Sequence, residues 1–427
     1  SDVYKRQVLD SAGSVILGVV KDYNYKNLFK DITQLDSGSN IIINNGIASD
    51  RLPGSLQIGY GRSDNNAKLF MTGSASLRSF GGDVRIVRNA AGAPTVEGGG
   101  KLSAGSIDTT LQGLNGGSVF INANEGALVD IGGSILTNGS NATTGTTNTD
   151  GGFLGFSGGF VSISGKRVTV SGINTSGGST SQYAPNNSSG GGAGSISITA
   201  TEEPVDPLNP EATITLTRDL VALGGVGGSR TDARGGGGGG ITLKGALVKL
   251  DTGISTAPQI VFNTYGGAGT LNGVTNSDLQ AGIGGGISVA GSLTGTENSS
   301  NILSLYYGSG TATLGTVNSQ TITLGTLNSA FDDVRSERGQ LVINGKLAIG
   351  TLATFSRGYG IQLNGGGFID NAVSFLNTGN LAIGNTGTPT EFKGGLEALK
   401  APTVTLKGRI ITGDSNQPNA GAPMTFS

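Results

Sequence analysis

Six stretches of the chain repeat one phrase: a glycine turn, then strict alternation of large apolar residues with small polar ones. They read "GGDVRIV" from Gly81, "GGSVFINA" from Gly116, "GGFVSISG" from Gly158, "GSISITA" from Gly194, "GGITLKG" from Gly239 and "GGISVAG" from Gly285. A period of two marks a strand with one buried face. The leading apolar residues are Val84, Val119, Val161, Ile196, Ile241 and Ile287, spaced 35, 42, 35, 45 and 46 residues apart. Further strands follow, in "GALVDIGGSILTNG" from Gly126, "KRVTVSGINTSGG" from Lys166, "RDLVALGGVGG" from Arg218 and "ALVKLDTGISTA" from Ala246. Each repeat is thus two short strands, a Gly or Ser-Gly break, another apolar step, and a Gly/Asn/Ser/Thr loop of variable length. "NGSNATTGTTNTDGG" and "SQYAPNNSSGGG" are such loops.

A fixed strand phrase with variable loops predicts a solenoid, not a closed globule. The expected fold is all-β, a right-handed parallel β-helix in which backbone hydrogen bonds run from coil to coil. The spacing suggests two coils of roughly 20 residues per period. About 20 coils would make a rod on the order of 100 Å long. Residues 81–300 are the regular repeats, 8–80 irregular coils, and 301–427 a less regular continuation. In that last part "TATLGTVNS" from Thr311 is nearly copied by "TITLGTLNS" from Thr321, and "LAIG" recurs at Leu347 and Leu381. "KDYNYKNLFKDI" from Lys21 is the one stretch with a helical pattern. "TEEPVDPLNPE", Thr201 to Glu211, carries three prolines and four acids and reads as a loop extruded from the stack, since proline does not fit a paired ladder.

Composition explains why such a chain can fold. Gly makes up 78 of 427 residues and charged residues 13%, against about 7% and about 25% in ordinary domains. Coil corners need residues that tolerate positive φ or close backbone approach, which Gly and Asn supply. Net charge of -2 gives no footprint for nucleic acid. There is no apolar run of about 18 residues, so no membrane-spanning helix is expected. The absence of Cys excludes disulfides and suits export through an oxidising compartment. "SDVYKRQ", Ser1 to Gln7, matches the in-frame translation of a transposon adapter used in shotgun sequencing libraries. It is set aside as a library scar, and the chain is taken as a piece of a longer gene from a metagenomic library.

The "GGxVxIxA" strands, their second-strand partners and the Gly/Asn/Thr loops resemble filamentous-haemagglutinin-like exoproteins of Gram-negative bacteria. These are large β-helical passengers secreted by two-partner or autotransporter (type V) routes. The similarity covers Gly81 to Gly291 well and the remainder loosely. That family's secretion domain carries an "NPNG" motif near its start; "INNGI" from Ile43 lacks the proline. The resemblance implies a secreted or surface-exposed adhesin stalk, extracellular or on the outer-membrane surface. It also implies an outer-membrane transporter for export, and loops that contact a cell surface, a glycan or a matrix ligand.

Candidate chemistry is sparse. With neither His nor Cys, Ser-His-Asp triads, Cys nucleophiles and the usual zinc sites are excluded. The densest charge cluster is "FDDVRSERG", with Asp332, Asp333, Arg335, Glu337 and Arg338. It could serve a polysaccharide lyase or glycosidase, or be a solvated loop whose charges pair locally. The second reading is favoured, because acid–base work needs partners on adjacent coils and no second cluster is in register. "GGGGGG" from Gly235 precedes a strand, not a helix, and is no nucleotide loop; "GGVGGS" and "GGAGTL" lack the Asp of a calcium roll. Tyr60, Tyr306 and Tyr307 could stack on sugars, but lining the core is the favoured role. Sequons at Asn138 and Asn187 carry little weight in Asn-rich loops. No catalytic, cofactor or metal residue is therefore assigned. The expected function is a structural rod displaying loops. The alternatives are a β-helical carbohydrate-active enzyme and an S-layer, biofilm-matrix or phage-fibre component.

Overall fold

A computed structural model describes strand backbones between residues 8 and 104 and at 271 and 274–275, and Asp83 in full. It describes in full residues 105–123, 128–142, 153–180, 188–202, 211–228, 233–253, 259–270, 280–295, 301–329, 338–414 and 421–426. The helical pattern of 21–32 falls outside them. Within them the chain is all-β, with no helix long and apolar enough to cross a membrane. It is a parallel β-helix. Val119 lies between Val84 and Val161, and the same ladder continues through Ile196, Ile241 and Ile287, every step parallel and in register. It extends down to Val15 through Leu56, and up through Ala312, Leu341, Ile361, Leu381 and Val404.

This register corrects the expected coil length. Successive anchors are direct neighbours, so one period is one coil, not two. Thirteen rungs at about 4.8 Å each make a stack of about 60 Å, not about 100 Å. After Ile287 the coils shorten to between 20 and 29 residues, as from Leu341 to Ile361 to Leu381. The near-copies also fall differently from coil repeats. Thr311–Leu314 lies on the first face, while Thr321–Asn328 runs along the second and third faces of the same coil.

Each regular coil carries three short strands. On the second face Val129, Val168, Ile214, Val248, Leu293 and Ile322 stack; on the third, Ile135, Ile173, Leu220, Phe262 and Leu305. All of these are at most 2% exposed and join one continuous core. A fully buried Val, Leu or Ile is stabilising by about 1.5–3 kcal/mol, so each rung adds several such terms. Where the coils shorten, Tyr307, Tyr359, Phe375 and Phe392 are the large side chains that fill the interior.

The facing is as the alternation requires. Ile196 and Ile241 are 1% and 0% exposed, while Thr242 faces solvent. Ile196→Asp or Ile241→Asp should therefore cost at least about 3 kcal/mol, because an unpaired carboxylate enters a dry interior. Thr242→Asp should change stability by less than about 0.5 kcal/mol. Urea denaturation checks this; similar losses in the two classes would refute the facing.

Candidate functional site

The extra residues of the long coils do not enlarge the core. They leave it between the third face of one coil and the first face of the next, as four excursions. Outgoing arms run over 137–142, 175–180, 222–228 and 264–270, and returning arms over 153–160, 188–195, 233–240 and 280–286. Outgoing arms pair with one another: the Gly139 amide donates to Ser176 O at 2.9 Å, Gly177 to Leu223 O at 2.9 Å and Gly224 to Tyr265 O at 2.9 Å. Returning arms do likewise, Gly155 to Ser189 O at 2.8 Å and Gly190 to Arg234 O at 2.9 Å. The two layers are also tied together. Gly191 donates to Gly178 O at 2.8 Å, Gly236 to Gly225 O at 2.8 Å and Gly267 to Gly236 O at 2.7 Å.

These arms form a two-layer lamella standing off the β-helix. Exposure in it recurs every third residue, at Leu154, Ser157 and Phe160 and again at Arg234 and Gly237. That is the period of polyproline II, which satisfies no backbone group internally and so must bond to neighbours. Most inward positions of the triplets are glycine, with exceptions such as Phe156, Ala193 and Ala281, and at the glycines there is no room for a side chain. A Cβ on Gly178 would lie 1.7 Å from Ser140 O, and one on Gly236 1.9 Å from Gly191 O. None of the glycines with positive φ lies in these arms, so close approach is what demands glycine here. "GGVGG" from Gly224 states the rule, with only Val226 exposed.

A threonine closes most coils where the core meets the lamella. The hydroxyl of Thr109 donates to Gly117 O at 2.5 Å, Thr137 to Gly159 O at 2.6 Å, Thr175 to Gly194 O at 2.6 Å and Thr264 to Gly285 O at 2.8 Å. In return, the amides of Gly117, Gly159, Gly194 and Gly285 donate to the carbonyls of the same threonines. Ala222 holds the equivalent place in one coil and keeps only the backbone half, accepting from Gly239 at 2.9 Å.

The far edge of the lamella is where variable loops depart. Residues 143–152, 181–187 and 229–232 join outgoing to returning arms, and a fourth loop follows a small antiparallel hairpin, Thr270–Leu271 with Val274–Thr275. The flanks of all four are in register from coil to coil. Residues 330–337 connect the same corner two coils beyond, since Ser329 follows the third face and Gly339 precedes the first. Asp332, Asp333, Arg335 and Glu337 therefore lie outside the described residues, and of that cluster only Arg338 is placed. The proline-rich loop likewise spans undescribed 203–210, but its ends are held. Arg167 pairs with both Glu202 and Glu211, and Lys166 reaches Glu202 at 3.3 Å.

At the lamella base an open pocket of about 480 Å³ is lined by Thr110, Leu111, Gln112, Asn138, Ser140 and Asn141, all uncharged. Ser140 Oγ, in the Asn138 sequon, accepts from the Gly113 amide at 2.8 Å; Asn187 is outside the described residues. Among the described residues no three carboxylates gather into a metal site. Tyr307 is fully buried, as the core reading expects, and packs edge-on against Tyr359 with centroids 6.4 Å apart. Tyr306 is half-buried and stacks on Tyr265 at 5.7 Å. The Tyr60 side chain is outside the described set. The lamella itself escaped the sequence reading, although the triplet phrase "GGVGG" was its available signal.

No protein-family model, curated protein or solved structure matches the chain. What it does has to be argued from the rod, the lamella and the loop edge.

Two predictions follow from this geometry. Gly236→Ala should destabilise by more than about 2 kcal/mol, whereas Gly237→Ala, whose Cβ would come no closer than 3.7 Å to any atom, should be neutral or stabilise by about 0.4–1 kcal/mol. Thermal melts of the two variants decide it. The second concerns Tyr307, whose hydroxyl finds no partner, and Tyr359, whose oxygen lies 2.8 Å from Ser329 Oγ and accepts from the Phe355 amide at 2.9 Å. Burial raises the pKa of both; Tyr359 and Tyr265 push Tyr307 further up, while hydrogen bonds pull Tyr359 partly back. Above pH about 10 the unfolded state loses phenolic protons that the folded state keeps, so stability falls as pH rises. Tyr307→Phe should leave stability at pH 7 within about 1 kcal/mol and flatten that alkaline decline. Tyr359→Phe should cost about 1–2 kcal/mol at pH 7. Urea titrations at pH 7 and pH 11 measure both.

Proposed function

We infer that the chain is part of a secreted or surface-exposed, adhesin-like rod whose work is to present variable loops to a cell surface, a glycan or a matrix. The observation that supports this reading most is the loop edge. Insertions that differ in length and sequence leave neighbouring coils at one corner, with flanks held in register by backbone hydrogen bonds. A scaffold that varies only at one aligned edge is built for contact along that edge, as in other repeat architectures. The low charge, the absence of cysteine and the neutral amide-and-hydroxyl surface near Asn138 and Asn141 suit an exported protein that meets polar, uncharged partners such as glycans. Export would pass through an outer-membrane transporter, and the β-helix would act as stalk.

The test is binding of the purified chain to immobilised bacterial and host polysaccharides and to intact cells. It is compared with a variant in which residues 143–152, 181–187 and 229–232 are replaced by Gly/Ser of equal length. The expected result is saturable binding that the variant loses by at least tenfold while its melting temperature is kept. Equal binding by the variant, or none by the native chain across the panel, would overturn the reading.

A further inference from the structure

The outward face of the returning arms has a property that the display reading does not use. Its residues form columns along the stack: Leu154, Ser189, Arg234 and Gln280; Ser157, Gly192, Gly237 and Ile283; Phe160, Ser195, Gly240 and Gly286. Of these positions the middle coils carry one long side chain, Arg234, and otherwise only Gly and Ser. Yet a Cβ would meet nothing closer than 3.9 Å at Gly192, 3.7 Å at Gly237, 3.6 Å at Gly240 and 3.4 Å at Gly286. The fold does not require glycine at these four places, unlike the inward positions beside them. The outer coils carry the bulk instead. Phe160 is 44% exposed in the first coil and Ile283 77% exposed in the fourth.

We propose that this face is a self-association surface, and that its occupant is the same face of a second copy of the chain. Self-complementarity carries the argument. Turning one copy about an axis parallel to the arms, between the second and third coils, opposes first coil to fourth and second to third. Phe160 then meets Gly286, Ile283 meets Ser157, Arg234 meets Ser189, and the bare strips at Gly192 and Gly237 meet each other. Leu154 and Gln280 oppose each other as two long side chains; every other large residue is set against a small one, and each pair occurs twice, which is the requirement of an isologous contact. The amides of Gly192 and Gly237 donate to no described residue, so the middle of the face also offers backbone donors to the opposing layer. Four arms about 4.8 Å apart, each about 20 Å long, give about 400 Å² per copy. A total near 800 Å² lies below the size of stable interfaces, so pairing is weak and concentration-dependent.

The chain has no cysteine, which makes the test clean. Within one copy Ser157 and Ile283 are three coils apart, about 14 Å, beyond disulfide reach. Across the proposed contact they face each other. The double variant Ser157→Cys/Ile283→Cys, oxidised mildly at about 50 µM, should give a covalent dimer at least tenfold faster than Asn141→Cys/Val226→Cys on the opposite face. Those two positions are exposed and lie two coils, about 10 Å, apart, so they too are beyond disulfide reach within one copy. Sedimentation velocity should show native chain associating between about 10 and 500 µM, and Gly237→Arg, which the fold accommodates, remaining monomeric. Equal cross-linking from both faces would overturn the proposal. So would a native chain monomeric throughout, or unchanged association in Gly237→Arg. A monomer that captured a soluble glycine-rich peptide on this face would overturn it too, by assigning the surface to another occupant.

Discussion

Backbone hydrogen bonding between stacked coils, at one common axial spacing, is the interaction on which everything else rests. Every rung from Val15 to Val404 repeats it in parallel register. The lamella obeys it as well, although its arms have a period of three and those of the β-helix a period of two. Because both parts are bonded to the coils above and below, neither can change its rise without breaking the other. The threonine–glycine pairs at Thr137 and Thr175 sit where the two periods meet, and each satisfies a backbone carbonyl that neither ladder would serve.

Side chains then divide by what this spacing permits. Inside the coils each inward position takes one apolar residue, mostly stacked Val, Ile and Leu, with Tyr and Phe where the coils shorten. Inside the lamella the backbones at positions such as Gly178 and Gly236 approach too closely for any side chain, and glycine follows there. Charge is pushed to places where the stack does not constrain it. Arg167 with Glu202 and Glu211 stands at the mouth of the proline-rich loop, and Lys393 reaches Asp370 at 2.8 Å while lying 4.1 Å over the Phe368 ring. Such partly exposed pairs add little to stability, and their effect is local. This separation lets the loops vary freely: the core and the lamella set where a loop begins and ends, and demand nothing of its middle.

Alternation around Val161, Ile196 and Ile241 was enough to determine strands, their parallel stacking and which side chain of each pair faces inward. Those are properties of a few consecutive residues and of a repeat, and both are written directly in the chain. Coil length was not, because counting residues between anchors also counts those that leave the core. Only the register of Ile196 on Ile241 and Ile241 on Ile287 shows that 45 or 46 residues make a single turn. Thr311 and Thr321 likewise look like successive repeats and occupy different faces of one coil, since near-identical strands fit any face. The glycine lamella needed tertiary structure for the same reason. A glycine such as Gly236 is demanded by a carbonyl forty-five residues away, at Gly191, and the chain around it carries no record of that neighbour.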